Sequence, residues 1–153
     1  MKTKIKNIAT IQSGLFTRPN LDGDIVYLQA KHFNENGILS SDLHPDLKRS
    51  AVTEKHLLKA GNVLFAAKGS KNFATWYESK NPPAVASTSF FVIRINDNYN
   101  NIILPEFLTW CLNNPNSQII LKGKAKGTAI ASISKTALED LEISIPDIKT
   151  QKV

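Results

Sequence analysis

Residues 84–95, AVASTSFFVIRI, decide how the fold reads: Val85, Thr88, Phe90, Phe91, Val92, Ile93 and Ile95 are β-branched or aromatic. That density favours a pleated, buried surface and predicts a central strand pairing. Ahead of it, Asn81-Pro82-Pro83 is a proline-stiffened connection, and behind it Asp97–Asn101 is a turn. Two earlier stretches read the same way. Asp24–Ala30 (DIVYLQA) predicts a strand, and Asn62–Ala67 (NVLFAA), short and mostly apolar, predicts a buried one. Glu142–Ile145 predicts a closing strand ended by Pro146.

Helices fall between and beyond these strands. Ile5, Ile8 and Ile11 recur every three residues and predict a short helix over Lys2–Gln12, stopped at Ser13-Gly14. Leu15–Gly23 is then a loop holding Arg18-Pro19-Asn20 and Asp22-Gly23, and Asn34–Gly37 marks a turn. Thr53 is the expected N-cap of a helix running to Lys59 and stopping at Gly61, with Glu54 in its first turn. Leu104–Asn114 carries Pro105 at a first helical position and Phe107, Leu108, Cys111 and Leu112 on one face. Asn114-Pro115-Asn116 breaks that helix before a second one at Ser117–Leu121. Ser134 or Thr136 caps a last short helix through Asp140, and Thr136-Ala137-Leu138-Glu139 fits a capping box. Strands and helices that do not alternate regularly, with no repeat or linker, predict an α+β fold. The expectation is one compact domain over residues 1–153, with a mixed, twisted sheet and short helices.

Composition agrees. A chain of 153 residues with 42% hydrophobic and 21% charged residues is ordinary globular usage, long enough to bury a core without a staple. Nineteen Lys and Arg against thirteen Asp and Glu leave a net charge of +6, which suits a polyanionic partner. Cys111 is the only cysteine, so no intrachain disulfide forms, and its apolar neighbours make it a small buried hydrophobe. Met1–Asn7 is basic but lacks a following apolar core, and no stretch reaches the roughly 20 apolar residues of a membrane span. The expected compartment is the cytoplasm.

Catalytic patterns are missing. His32, His44 and His56 have no cysteine or carboxylate at ligand spacing, which speaks against a metal site. There is no nucleophile elbow, and Gly123-Lys124-Ala125-Lys126-Gly127-Thr128 lacks the Lys that must follow the second Gly of a phosphate loop. Asn81-Pro82-Pro83 resembles the Asn-Pro-Pro-aromatic motif of DNA adenine methyltransferases, but Ala84 stands where the stacking aromatic belongs. No catalytic residue, metal or cofactor is therefore assigned. What remains is a set of basic loops. Arg18 lies in the first loop, Lys31 beside His32 at the end of the first strand, and Lys68, Lys71 and Asn72 in KGSKN. Lys122, Lys124 and Lys126 alternate with small residues in KGKAKG. Such side chains neutralise phosphates or read base edges; the blander alternative is that they only solubilise exposed turns.

Three blocks, in order, resemble the target recognition domain of type I restriction-modification specificity subunits. The first is Ile5–Gly14 (IKNIATIQSG), similar to an opening helix that ends in a glycine before a variable loop. The second is Leu58–Ala66 (LKAGNVLFA), similar to Leu-x-x-Gly-Asp-Ile-Leu, with Asn62 in place of the aspartate at what is a structural turn. The third runs from Gly127-Thr128 through Ile130, Ile133, Leu138 and Leu141 to Ile143-Ser144-Ile145-Pro146 and Gln151. The resemblance implies sequence-specific recognition of double-stranded DNA, reading one half of a split target. It also implies partners: a DNA adenine methyltransferase subunit and a restriction (translocase and nuclease) subunit, which would supply the S-adenosylmethionine and ATP chemistry. The spacer helix of that family is absent or truncated after about residue 146, as in an excised domain or a half-subunit. The DNA-facing residues expected from loop position and chemistry are Arg18, Lys31, Lys68, Lys71, Asn72, Lys122, Lys124 and Lys126. The competing reading is a stand-alone or degenerate relative acting as a protein-interaction module. A small enzyme is the other, with no constellation to support it.

Overall fold

A computed structural model describes residues 1–20, 22–34, 36–41, 43–69, 71–78, 82–124 and 132–152. Its strands are β1 (Lys2–Lys4), β2 (Ala9–Ser13), β3 (Val26–Leu28), β4 (Val63–Ala66), β5 (Ala74–Trp76), β6 (Ala84–Ala86), β7 (Phe90–Ile95) and β8 (Glu142–Ser144). Its α-helices are α1 (Ala51–His56), α2 (Pro105–Asn113), α3 (Pro115–Gly123), α4 (Lys135–Asp140) and α5 (Ile148–Gln151). A four-stranded antiparallel sheet in the order β2-β7-β4-β5 forms the centre. A parallel pair, β3 with β6, and an antiparallel pair, β1 with β8, complete the α+β architecture.

The apolar run at 62–67 is explained by where β4 sits. Val63 and Phe65 point into one core with Ile5, Ile8, Ile93, Leu108, Leu112 and Leu138. Leu64 and Ala66 point the other way, into a second core with Val26, Leu28, Phe90 and Val92. A strand covered on both faces loses the apolar-polar alternation of a half-exposed one. The helices α2, α3 and α4 close the first core through Leu108, Leu112, Leu121, Ala137 and Leu138.

Several local expectations change. Lys2–Gln12 is not a helix: Ile5–Asn7 is a 3₁₀ turn between β1 and β2. A 3₁₀ turn has three residues per turn, so Ile5 and Ile8 share its buried side. Ile11 is then buried by strand alternation, opposite to exposed Thr10 and Gln12. The β signal at 84–95 splits at Ser87–Ser89, because β6 joins β3 while β7 turns away into the central sheet. The first α-helix begins earlier than expected. Ser50, not Thr53, is its N-cap, accepting the Thr53 N–H at 3.2 Å, while Thr53 Oγ1 accepts the Ser50 N–H at 2.7 Å. That helix ends at His56, and Gly61, at φ 92°, turns the chain into β4 instead of capping it. Ser134 caps α4 by accepting the Ala137 N–H at 3.1 Å, which resolves the choice against Thr136. Cys111 is buried, as expected.

Candidate nucleic-acid interface

The register of the central sheet collects most of the basic loops at one end. Ser13 pairs with Phe91, Ala66 with Phe90, and Phe65 with Ala74. The exit of β2, the exit of β4, the start of β5 and the start of β7 therefore emerge together. The exit of β3 joins them, since the Ser87 N–H donates to the Leu28 carbonyl at 2.9 Å. The Ala67 N–H in turn donates to the Ser89 carbonyl at 3.0 Å. Three rings seal this end from below: Phe33 lies 5.5 Å from Phe73 and 5.4 Å from Phe90, and Phe73 lies 6.1 Å from Phe90, centroid to centroid. Tilted and edge-on contacts of this kind fix relative orientation as well as burying area.

Lys31 stands on the 3₁₀ turn Ala30–His32, immediately before Phe33 of that trio. The turn is stapled by His32, whose Nδ1 accepts the Gln29 N–H at 2.9 Å. Burial and, secondarily, the neighbouring Lys31 hold the His32 pKa below its usual value, with Asp46 opposing. Lys68 and Lys71 belong to the loop from β4 to β5 and are exposed. Gly69 between them has φ 110° and open space where a side chain would stand, so another backbone can approach closely there.

The second basic segment meets the first. Gln118 of α3 donates from Nε2 to the Asn72 carbonyl at 2.7 Å, tying that helix to the 68–72 loop. Lys122 lies in the last turn of α3 and Lys124 is its C-cap, positions where the helix dipole favours a cation. The chain returns at Ser132, which bridges to Lys68, and the Ile133 N–H donates to the Ala67 carbonyl at 2.9 Å. Lys126 lies outside the described residues. Ion pairs among the described residues are Lys2–Glu142, Lys6–Asp140 and Arg49–Glu54. None of them neutralises Lys31, Lys68, Lys122 or Lys124.

Two expected residues stand apart from this cluster. Asn72 is only 2% exposed. Its Nδ2 donates to the Ala66 carbonyl at 2.9 Å, so the side chain holds the 67–72 loop together from inside and does not face solvent. Arg18 is exposed but lies on the flank, sharing a concavity with Lys48, Ser50 and Val52. Sequence reasoning missed the positioning residues, whose partners are distant along the chain. Asn113 accepts the Ala74 N–H on Oδ1 at 2.7 Å and donates from Nδ2 to the Ala74 carbonyl at 2.9 Å, fixing the start of β5. Gln151 accepts the Leu104 N–H at 2.8 Å and donates to Ile102 and Pro146 carbonyls, locking α5 against the start of α2. Asn62 is likewise structural: its Oδ1 accepts the Lys59 N–H at 2.8 Å.

Among the described residues no group of three or more His, Cys, Asp and Glu could hold a metal ion. None of their helices is long and apolar enough to cross a membrane. The arrangement offers cations on short, clamped loops at one end of a rigid sheet.

Comparison with known proteins gives the site its context. A family model described as the type I restriction modification DNA specificity domain matches residues 1–153. The fold is similar to that of the S subunit of a type I restriction-modification system from M. genitalium, with a TM-score of 0.67 at 16% identity, covering 99% of this chain and 36% of that one. It is similar also to the HsdS subunit from Thermoanaerobacter tengcongensis, with a TM-score of 0.64 at 14% identity, covering 99% and 34%. A third similar chain comes from work on complex assembly and conformational transition of the type I R-M system, with a TM-score of 0.66 at 12% identity, covering 99% and 35%. The chain thus spans about a third of the length of these solved subunits. Comparison with curated proteins gives no match.

Proposed function

The chain belongs to the type I restriction modification DNA specificity domain family, and from that premise we propose that residues 1–153 act as one target recognition domain that reads one half of a split double-stranded DNA target. DNA sequence recognition is the business of this family, and the chain is a specificity module, not an enzyme. Methylation and cleavage belong to partners: a DNA adenine methyltransferase subunit and a restriction subunit that translocates and cuts, working in the cytoplasm.

One observation carries the reading. Three separate segments of the sequence meet at one end of the central sheet and bring Lys31, Lys68 with Lys71, and Lys124 with them. Lys31, Lys68 and Lys124 take no part in the ion pairs described above. Phosphate contacts from such loops set register on the duplex, and the few side chains that reach a groove supply the sequence preference. Lys31, Lys68, Lys71, Lys122 and Lys124 are the proposed contacts of this end, with Lys126 on the adjoining segment and Arg18 reaching the duplex from the flank. Asn72 contributes indirectly, by shaping the loop that carries Lys68 and Lys71.

Selection from a random duplex library across a salt series tests this. The expected result is a short enriched motif, with affinity falling steeply as salt rises. Lys68→Ala or Lys124→Ala should each lower the log–log salt slope by about 0.9, the signature of one lost phosphate contact. No retention at low salt would overturn the proposal.

A further inference from the structure

We propose that Phe16 is a specificity-determining residue, making an apolar contact to a base of the DNA target, with Arg18 and Lys48 anchoring the adjacent phosphates. This rests on the DNA-reading function above and names a contact that basic loops alone would not supply.

Phe16 is 83% exposed, the most exposed of the large hydrophobic residues among the described ones. Exposure of one phenyl ring is unremarkable when it sits on a loose tail, but Phe16 does not. The Gly14 N–H donates to the Phe90 carbonyl at 3.0 Å and the Leu15 N–H to the Ala86 carbonyl at 2.9 Å. Tyr27 Oη donates to the Leu15 carbonyl at 2.6 Å, and beyond the ring the Asn20 N–H donates to the Asp46 carbonyl at 2.7 Å. The backbone at Gly14 is pressed so closely on the β6–β7 turn that an added Cβ would lie 1.9 Å from the Ser87 carbonyl oxygen. The ring is thus held out on a short segment clamped at both ends. An apolar ring held out on a fixed backbone gains nothing from burial in the folded chain and stands ready for a partner that covers it.

The surroundings say what the partner is. Phe16 shares its concavity with Arg18, Lys48 and half-exposed Val52, and no carboxylate lines it among the described residues. Asp46 accepts the Tyr27 N–H, Asp24 the Arg49 N–H, and Glu54 pairs with Arg49, while Arg18 and Lys48 take no part in the ion pairs described above. An apolar ring flanked by two cations complements a duplex, whose bases are apolar on face and methyl and whose backbone is anionic. The clamp also joins this loop to the proposed interface. Leu15 bridges to Ser87, on the same turn that receives the exit of β3 and the exit of β4.

The test compares wild type with Phe16→Ala, Arg18→Ala and Lys48→Ala, first in the random duplex selection and then in salt titrations on the motif enriched by wild type. Phe16→Ala is expected to bind that motif about tenfold more weakly. It should lose preference at one base position and leave the salt slope unchanged. Arg18→Ala and Lys48→Ala are expected to weaken all sequences alike and to reduce the slope. If wild type enriches a motif and Phe16→Ala enriches the same motif with equal affinity, this inference falls while the DNA-reading function stands; the ring would then be a protein-docking feature. If wild type retains no DNA, the parent reading falls, and this inference with it.

Discussion

At the residue scale, the positions that matter most to the geometry are ones whose chemistry looks ordinary in the sequence. Gly14 reads as a helix stop, yet its function is contact: its α-carbon rests against the Ser87 carbonyl, with no room for a methyl group. Gly14→Ala must push two backbones apart, so we expect a loss of about 3 kcal/mol or more in denaturant unfolding. Near-wild-type stability would contradict the close approach. Asn72 reads as a polar loop residue suited to DNA and is instead buried under the loop it stabilises. Nothing local announces this, because its acceptor, Ala66, becomes available only when β4 ends where it does. Cys111 was legible. Burial pushes its thiol up to about 11, so at pH 8 the reactive thiolate is nearly absent. Iodoacetamide should leave it unmodified in the folded protein and label it rapidly in denaturant, whereas fast labelling of the folded protein would place it at the surface.

At the element scale, legibility follows burial. The strand β4 could be read because both of its faces are covered, which leaves an unbroken apolar run, and α2 because Pro105 and its apolar face mark it. By contrast, β1 (Lys2-Thr3-Lys4) and β5 (Ala74-Thr75-Trp76) carry no such pattern. They exist because long-range partners hold them: β1 pairs with β8 at the far end of the chain, and β5 depends on Asn113. Phe65 tests the central role of β4, since it is fully buried in the first core and its strand joins β5 to β7. Phe65→Ala should cost about 4 kcal/mol in urea unfolding. A cost near that of an exposed substitution would mean that β4 is not the centre of the fold. Helix caps are a smaller matter: Ser50→Ala should cost about 1 kcal/mol, with Thr53→Ala comparable because the two side chains bond reciprocally.

At the scale of the whole molecule, the sequence shows basic loops but not that they meet. Lys31, Lys68 and Lys124 are widely separated in the chain. They share one end only because β2, β4 and β7 pair in a register that brings their termini together, while Gln118 ties α3 to the Asn72 carbonyl. Cations from distant parts of the chain are thereby brought to one end, as the proposed DNA-facing surface requires. The most direct test is an amide chemical-shift titration of the protein with its selected duplex. The largest changes are expected on residues 14–18, 31–33, 68–72 and 122–124, with the separate concavity lined by Phe107, Trp110, Pro146 and Gln151 unmoved. Changes centred on Phe107 and Trp110, with the basic end silent, would contradict this expectation.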